Sequence, residues 1–388
     1  MFLLKNGEEM KIGILTFWWS QDNYGQLLQC YALQKYLRDL GHYAFLIRYN
    51  YNSDLKKRRN FKRIFKIFNP KKLYNYLCGL LKQRENHNYA ITNTDRQFNK
   101  FREKYLFVSE KYYINYNDLK RTPPDADAYI VGSDQVWNWN YLDALHSTAY
   151  HAYFLDFGNE NILRLSYAAS WGASNLPTKI INPIANMLSN FNYVSVREIT
   201  GKKLCKKCGI EDAEWVCDPT LLISAEQYRK IYKENQINTI NKKYLLFYYL
   251  NNKCDFDIES VYNFANKKGL DVVFITGNGF YDEHEKFEAT IPEWLYLVDN
   301  AEYVITNSFH CAVFSTIFYK RFGVIPLSGC ATGMNERFGS LFELRGIGNR
   351  FITSDNYSAL ENEYIPKSVV PSARFIKVLS TKNEAYNE

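Results

Sequence analysis

The chain has 388 residues, 46% of them apolar, which is enough for two cores of ordinary size rather than one. Its 48 basic and 41 acidic side chains leave a net charge of +7, and no stretch reaches the ~20 apolar residues of a membrane-spanning helix, so a membrane-embedded bundle is excluded. Eight cysteines with no paired framework exclude a disulfide scaffold and fit a reducing compartment.

The opening nine residues are too short and too acidic for a secretory signal, and the fold is expected to begin at Met10. Residues 11–17 (KIGILTF) read as a buried strand, and residues 23–41 as an amphipathic helix with Asn23 at its cap, Gln29 and Lys35 on its polar side and Gly41 as its stop. Residues 43–49 return as a strand. This β-α-β unit makes the sheet parallel. The turn between strand and helix holds one glycine, Gly25, and neither phosphate-loop fingerprint. Its polar groups suit hydroxyls instead: Gln21, Asp22, Asn23 and Gln26, with Tyr24 among them, are candidate ligands for hydroxyl groups. A well-capped helix start accounts for the same residues.

From 55 to 84 there is no acidic residue but there are eleven lysines and arginines. Within 56–72 (KKRRNFKRIFKIFNPKK), Phe61, Ile64, Phe65 and Phe68 recur at helical spacing. Two readings fit, a helix lying in an anionic membrane surface and a helix packing its stripe on its own domain. The helical insertion is expected over about 54–107, and its charge points to an anionic surface or a phosphorylated substrate, with no nucleic acid expected.

Residues 128–131 form a strand that stops in GSDQVWN (132–138), which puts Ser133 and Asp134 at the carboxyl edge of the sheet, in one layer with the Asp22–Gln26 turn. Asp134 suits a ligand or base for sugar hydroxyls, and equally a helix cap. Strands are expected at 153–157, 164–170 and 193–196, with a helix at 180–189. Arg197, at the end of the last strand, offers a fixed fork of donors to a carboxylate or phosphate, or a salt bridge to Glu198. Cys205 and Cys208 make half a zinc site with no second pair, so no metal is expected.

A second alternation begins near 214. Asp218-Pro219 reads as a turn, Ser224 as a cap, and strands are expected at 244–250, 271–276, 303–305 and 322–326, with helices at 258–268, 292–298 and 335–345. Thr306 and Asn307 break the third of these strands, and Ser308 caps a helix opening with Phe309. His310 then stands in a first helical turn, where unpaired N–H groups meet anions. A buried histidine satisfied by a loop carbonyl is the alternative. Arg337 lies near the start of the last helix. The fold class is α/β: two Rossmann-like parallel-sheet domains, 10–197 and 213–350, facing across a cleft, and a tail, 351–388, packing back on the first.

NYGQLLQCYALQKYLRDLGH (23–42), YIVGSDQVWN (129–138), YFLDF (153–157), SYAAS (166–170), VSVRE (194–198), CDPTLL (217–222) and YVITNSFHCAVF (303–314), in this order, resemble the polysaccharide pyruvyl transferase family. The resemblance implies a glycosyltransferase-B-like fold and transfer of pyruvate from phosphoenolpyruvate to a sugar, usually as a ketal bridging two hydroxyls. It implies no cofactor, since phosphoenolpyruvate is the donor substrate. His310 matches the family's catalytic histidine and Arg197 an arginine that grips the donor, with Asn307 and Ser308 in the same donor site. Some members have an arginine where this chain has Ser308, and Arg337 is expected to supply the missing guanidinium. The acceptor implied is a galactose or N-acetylmannosamine type unit of a capsule, wall or exopolysaccharide, carried on a polyprenyl diphosphate at the cytoplasmic face of the membrane. A nucleotide-sugar-dependent glycosyltransferase of the same fold is the second reading, and a non-catalytic scaffold the third.

Overall fold

The computed structural model describes residues 9–52, 54–55, 96–250, 254–277 and 282–380. The expected basic helix at 56–72 lies outside the described residues.

Among the described residues, seven strands build the first domain: β1 (Lys11–Leu15), β2 (Tyr43–Tyr49), β3 (Val108–Tyr113), β4 (Ala128–Gly132), β5 (Leu163–Tyr167), β6 (Ser195–Val196) and β7 (Glu214–Trp215). The first five form one parallel sheet in the order β3-β2-β1-β4-β5, and β6 and β7 pair with each other. Single parallel bridges from Leu165 to Tyr193 and from Ala169 to Val196 join that pair to β5. The strand order reverses between β1 and β4, so the loops following these two strands face one crevice, where open parallel sheets bind ligands.

The second domain has four parallel strands, β8 (Tyr244–Tyr249), β9 (Asp271–Thr276), β10 (Tyr303–Thr306) and β11 (Arg321–Val324), in the order β11-β10-β8-β9. Here the order reverses between β8 and β10, and the helix Phe309–Ile317 leaves the carboxyl end of β10 at that point. All nine of its residues are buried, and apart from His310 their side chains are apolar or small on every face.

Two elements depart from the sequence reading. The apolar run 153–157 is no strand: Ala149–Tyr153 is a short helix, and Leu155 takes a left-handed backbone (φ 51°) that ends extension while its side chain stays fully buried. The edge strand β3 was not anticipated, since four of its six side chains face solvent and leave no apolar alternation to read. The pairing of β7 with β6 also ties residues 214–215 to the first sheet. The last helix, Ala373–Ser380, returns to this domain and buries Phe375 against the rings of Tyr167 and Tyr193, at 4.8 and 5.5 Å.

The helix Tyr24–Asp39 joins the two halves. It covers the first sheet with Leu27, Leu33 and Leu37, and one core runs from it into the second domain through Trp294 and Phe314. Its expected polar position Gln29 is wholly buried, donating to the Thr16 hydroxyl at 3.1 Å and to the Gln26 carbonyl at 3.0 Å. Tyr24 is the main contact. Its ring stacks on Trp294 (centroids 5.3 Å apart, planes within 9°), meets Tyr248 edge-on, and its hydroxyl donates to the Ala289 carbonyl at 2.7 Å. An Arg96–Glu288 ion pair flanks it.

Tyr24→Ala is expected to cost about 3–5 kcal/mol of unfolding free energy, as for other buried aromatics. Tyr24→Phe, which leaves only the Ala289 carbonyl without its donor, should cost about 1–2 kcal/mol. Urea titrations of the two variants measure both, and equal losses would mean that the hydroxyl rather than the ring holds the domains together.

Candidate active site

The first component is the turn after β4. Gly132 must lack a side chain, because a Cβ there would lie 2.8 Å from the Tyr167 carbonyl. Ser133 (φ 26°) and Asp134 (φ 60°) follow in left-handed backbone conformations that side chains disfavour by about 1–3 kcal/mol each. Strain of this kind persists where surrounding bonds impose it. Here the Ser133 N–H donates to the Tyr167 carbonyl and the Ser170 N–H to the Asp134 carbonyl, at 3.1 and 3.0 Å. Asp134 is nearly buried, and its Oδ1 accepts the N–H of Gln135 at 2.9 Å.

The second component is Asp218, which sequence reasoning took for a simple turn. Its Oδ1 accepts the Thr220 N–H at 3.0 Å and the Thr220 hydroxyl at 2.6 Å. Its Oδ2 accepts the Ser133 hydroxyl and Arg197 Nη1, both at 2.9 Å, and lies 3.5 Å from His310 Nε2. Burial pushes this carboxyl towards the neutral form, but the His310 imidazole, Arg197 and Thr220 outweigh it and hold the pKa well below the usual carboxylate range. Asp218 therefore presents a fixed negative charge to His310. At 3.5 Å, Nε2 feels that charge and, among the described residues, makes no hydrogen bond.

His310 is itself buried, in the first turn of its helix, and Ser308 caps that helix by accepting the Cys311 N–H at 3.4 Å. The imidazole lies against Gly25 of the first domain: a Cβ on Gly25 would fall 2.2 Å from His310 Cγ and 2.4 Å from Nδ1. The glycine in the turn that lacks a phosphate-loop fingerprint thus makes room for the histidine of the opposite domain.

The third component is cationic. The Arg197 guanidinium lies 4.4 Å from the Phe309 ring centroid and that of Arg337 5.7 Å from it, so two buried cations share one aromatic ring. Arg337 Nε donates to the Met334 carbonyl at 3.1 Å. Burial, and next the neighbouring Arg197 charge, bring the Arg337 pKa down to about 10. Arg197 Nε and Nη2 are buried and, among the described residues, have no hydrogen-bond partner. Glu198 is a further buried carboxylate: its Oε1 accepts the Ser170 hydroxyl and the N–H groups of Trp171 and Gly172, and its Oε2 stands 4.0 Å from Arg197 Nε.

The expected donor residues therefore converge unequally. Arg197, Arg337 and His310 meet around Phe309, whereas Asn307 ties loops together, its Oδ1 accepting the Leu250 N–H at 2.8 Å. The expected acceptor residues mostly serve their own turn: Asn23 caps the helix, Gln26 Oε1 accepts the Ser20 N–H at 2.8 Å, and Asp22 Oδ1 accepts the Ser20 hydroxyl at 2.9 Å. Tyr24 is fully buried in the domain contact, and the buried Ser133 hydroxyl donates to Asp218. Beside the charged centre, between the domains, opens a pocket of about 480 Å3 lined by 138, 140–141 and 172–175 on one side and 328, 331, 333 and 334 on the other. Of these only Asn138, within GSDQVWN, carried any signal in the sequence. Cys205, Cys208 and Cys311 are buried, their thiols pushed up by burial to about 12, 11 and 12.

Residues 23–328 match the family described as polysaccharide pyruvyl transferase. The chain belongs to this family. None of the curated proteins matches it. Among solved structures it is similar to the UDP-GlcNAc 2-epimerase of Methanocaldococcus jannaschii in complex with UDP-GlcNAc and UDP, at 12% identity and a TM-score of 0.55, covering 95% of this chain and 99% of that one. The enzyme of the same name from Neisseria meningitidis, bound to UDP-GlcNAc, aligns over 96% and 99% at 10% identity and a TM-score of 0.45. The likeness to the first establishes the glycosyltransferase-B-like fold.

Asp218 makes the stability of this pyruvyl transferase family member depend on pH with a definite sign. A depressed folded-state pKa stabilises fully above the ordinary aspartate value of about 4 and is lost as pH falls from there towards the folded value. Asp218→Asn should cost about 3–5 kcal/mol near pH 7, and the gap to the wild type should narrow below about pH 4. Urea titrations of both proteins across that range test it; a gap independent of pH would assign the loss to shape rather than charge.

Proposed function

We propose that the protein transfers pyruvate from phosphoenolpyruvate to a sugar unit of a surface polysaccharide or its lipid-linked precursor, forming a pyruvyl ketal with His310 as general acid and base. One observation carries this reading. Two buried guanidinium groups flank one ring, and among the described residues Nε and Nη2 of Arg197 have no hydrogen-bond partner, all beside a buried histidine. A small ligand with two anionic ends, a carboxylate and a phosphate, would answer both the repulsion and the missing acceptors.

The chemistry asks for the same groups. One sugar hydroxyl adds its oxygen to the central carbon of phosphoenolpyruvate while the methylene carbon gains a proton, giving a phosphorylated hemiketal. The bond from that carbon to the phosphate oxygen then breaks, inorganic phosphate leaves, and the second hydroxyl adds and gives up its proton. The products are one ketal and one phosphate. His310 supplies and removes protons, the Asp218 carboxylate stabilises the charge on the ring as it does so, and the arginines hold the departing phosphate. Asp134 serves as the second base, on the acceptor hydroxyl. The basic stripe at 56–72 supports an acceptor carried on a polyprenyl diphosphate at the cytoplasmic membrane face.

Purified protein incubated with phosphoenolpyruvate and galactose- or N-acetylmannosamine-containing acceptors is expected to add one pyruvyl ketal by mass spectrometry. His310→Ala should lower the rate by about 100- to 10,000-fold. Arg197→Ala should weaken phosphoenolpyruvate binding by about 10- to 100-fold in calorimetry, the worth of one or two charged hydrogen bonds. If the wild type takes up no phosphoenolpyruvate but binds a uridine or guanosine diphosphate, the nucleotide-sugar reading replaces this one.

A further inference from the structure

The interdomain pocket differs in chemistry from the charged centre that it adjoins. Among the described residues, those that line it carry no charge. Its floor is built from Asn138, which is buried and spends its own amide on scaffolding. Nδ2 donates to Gln135 Oε1 at 2.9 Å and Oδ1 accepts the Asn140 N–H at 3.1 Å. Gly172 closes the floor. It has a left-handed backbone (φ 54°), and a Cβ there would fall 2.1 Å from Gln135 Oε1 and 2.7 Å from Asn138 Nδ2, so a larger residue would displace the Gln135–Asn138 contact beneath the 172–175 loop.

With that floor fixed, Asn140, Tyr141, Ser174 and Asn175 are left exposed around the rim, and Tyr141 shows 41% of its surface. Ala331, Gly333 and Met334 of the second domain close the far side. Two tethers connect the pocket to the charged centre: the Gly172 N–H donates to Glu198, and the Met334 carbonyl accepts Arg337 Nε.

Each hydroxyl of a sugar donates and accepts at once, and only amide and hydroxyl side chains reciprocate both roles without the cost of desolvating an ion. A pyranose also has an apolar C–H face, which needs an aromatic ring or small apolar side chains. The rim supplies both kinds of group, and about 480 Å3 lies within the ~300–1,000 Å3 of small-molecule sites.

We infer that this pocket is the acceptor subsite and that it takes a neutral saccharide ring, seated on Tyr141 and hydrogen-bonded by Asn140, Ser174 and Asn175, with its reacting hydroxyls turned towards Arg337 and Glu198. The inference rests on the transfer reading above and replaces the Asp22–Gln26 turn as the place where the acceptor is recognised. An anionic occupant is disfavoured here, since no cation lines the pocket among the described residues. Both domains contribute walls, so the ring also bridges the cleft.

Saturation-transfer NMR on the full chain with a panel of methyl hexopyranosides and methyl N-acetylhexosaminides tests the pocket without the donor. The wild type is expected to transfer saturation to the C–H face of at least one glycoside. Tyr141→Phe should keep that transfer and Tyr141→Ala should lose at least nine-tenths of it, with the melting temperature unchanged because the side chain is exposed. In turnover assays Asn175→Ala should raise the acceptor KM tenfold or more while the phosphoenolpyruvate KM moves less than twofold. Transfer that persists undiminished in Tyr141→Ala, or no transfer from any glycoside to the wild type, overturns the inference. Calorimetry with phosphoenolpyruvate alone reports on the transfer reading separately, since its failure would leave glycoside binding at Tyr141 intact.

Discussion

Everything at the cleft hangs on the carboxylate of Asp218. It gathers Ser133 from the end of β4, Arg197 from the end of β6 and His310 from the second domain onto a single oxygen. Such a buried charge is tolerable only because its lone pairs are filled from several directions. Removing the carboxylate would leave the buried Arg197 without its nearest counter-charge, which is why the constellation behaves as a unit rather than as three contacts. The left-handed turn at Ser133 and Asp134 is a consequence: the Ser133 hydroxyl reaches Asp218 while the backbone is held by Tyr167 and Ser170.

The second constraint is the closeness of the domains. His310 comes to rest against Gly25 with no space for a methyl group, and Tyr24, the residue before, is locked between Trp294 and the Ala289 carbonyl. The domain contact and the position of the imidazole are therefore one packing problem. The helix Tyr24–Asp39 solves it by being buried on more than one side, which is why Gln29 and Gln34 are internal and bonded rather than wet.

Around this frame the charge is deliberately unequal. Phe309 separates two guanidinium groups that repel each other, and the carboxylates nearby are largely occupied: Asp218 by four donors, Glu198 Oε1 by three. The ionic groups are confined to the ring's neighbourhood, while the adjoining pocket is neutral among the described residues. A division of the cleft into an ionic half and a hydroxyl-binding half follows from the side chains alone.

Strand and helix placement was legible in the chain wherever apolar periodicity coincided with a cap or a glycine, as at residues 11–49 and 303–317, because local propensity and burial there agree. The carboxyl ends of β4 and β10, and with them Asp134 and His310 as residues of the crevice, follow from the same pattern. Where burial and extension disagree, the pattern misled: the apolar run at 153–157 is buried without being a strand, and β3 is a strand without being apolar. What no periodicity could supply was the meeting of distant residues. Asp218 sits before a proline and looks like any turn, Tyr24 looks like a ligand, and the 172–175 and 328–334 segments look like loops, since the value of each depends on what the other domain brings to it. By itself the sequence determined two parallel-sheet domains and the chemical types ranged along their carboxyl edges. Only the tertiary structure decided which of those groups share a charge, a ring or a cavity, because distances across the cleft are set by how the two cores pack.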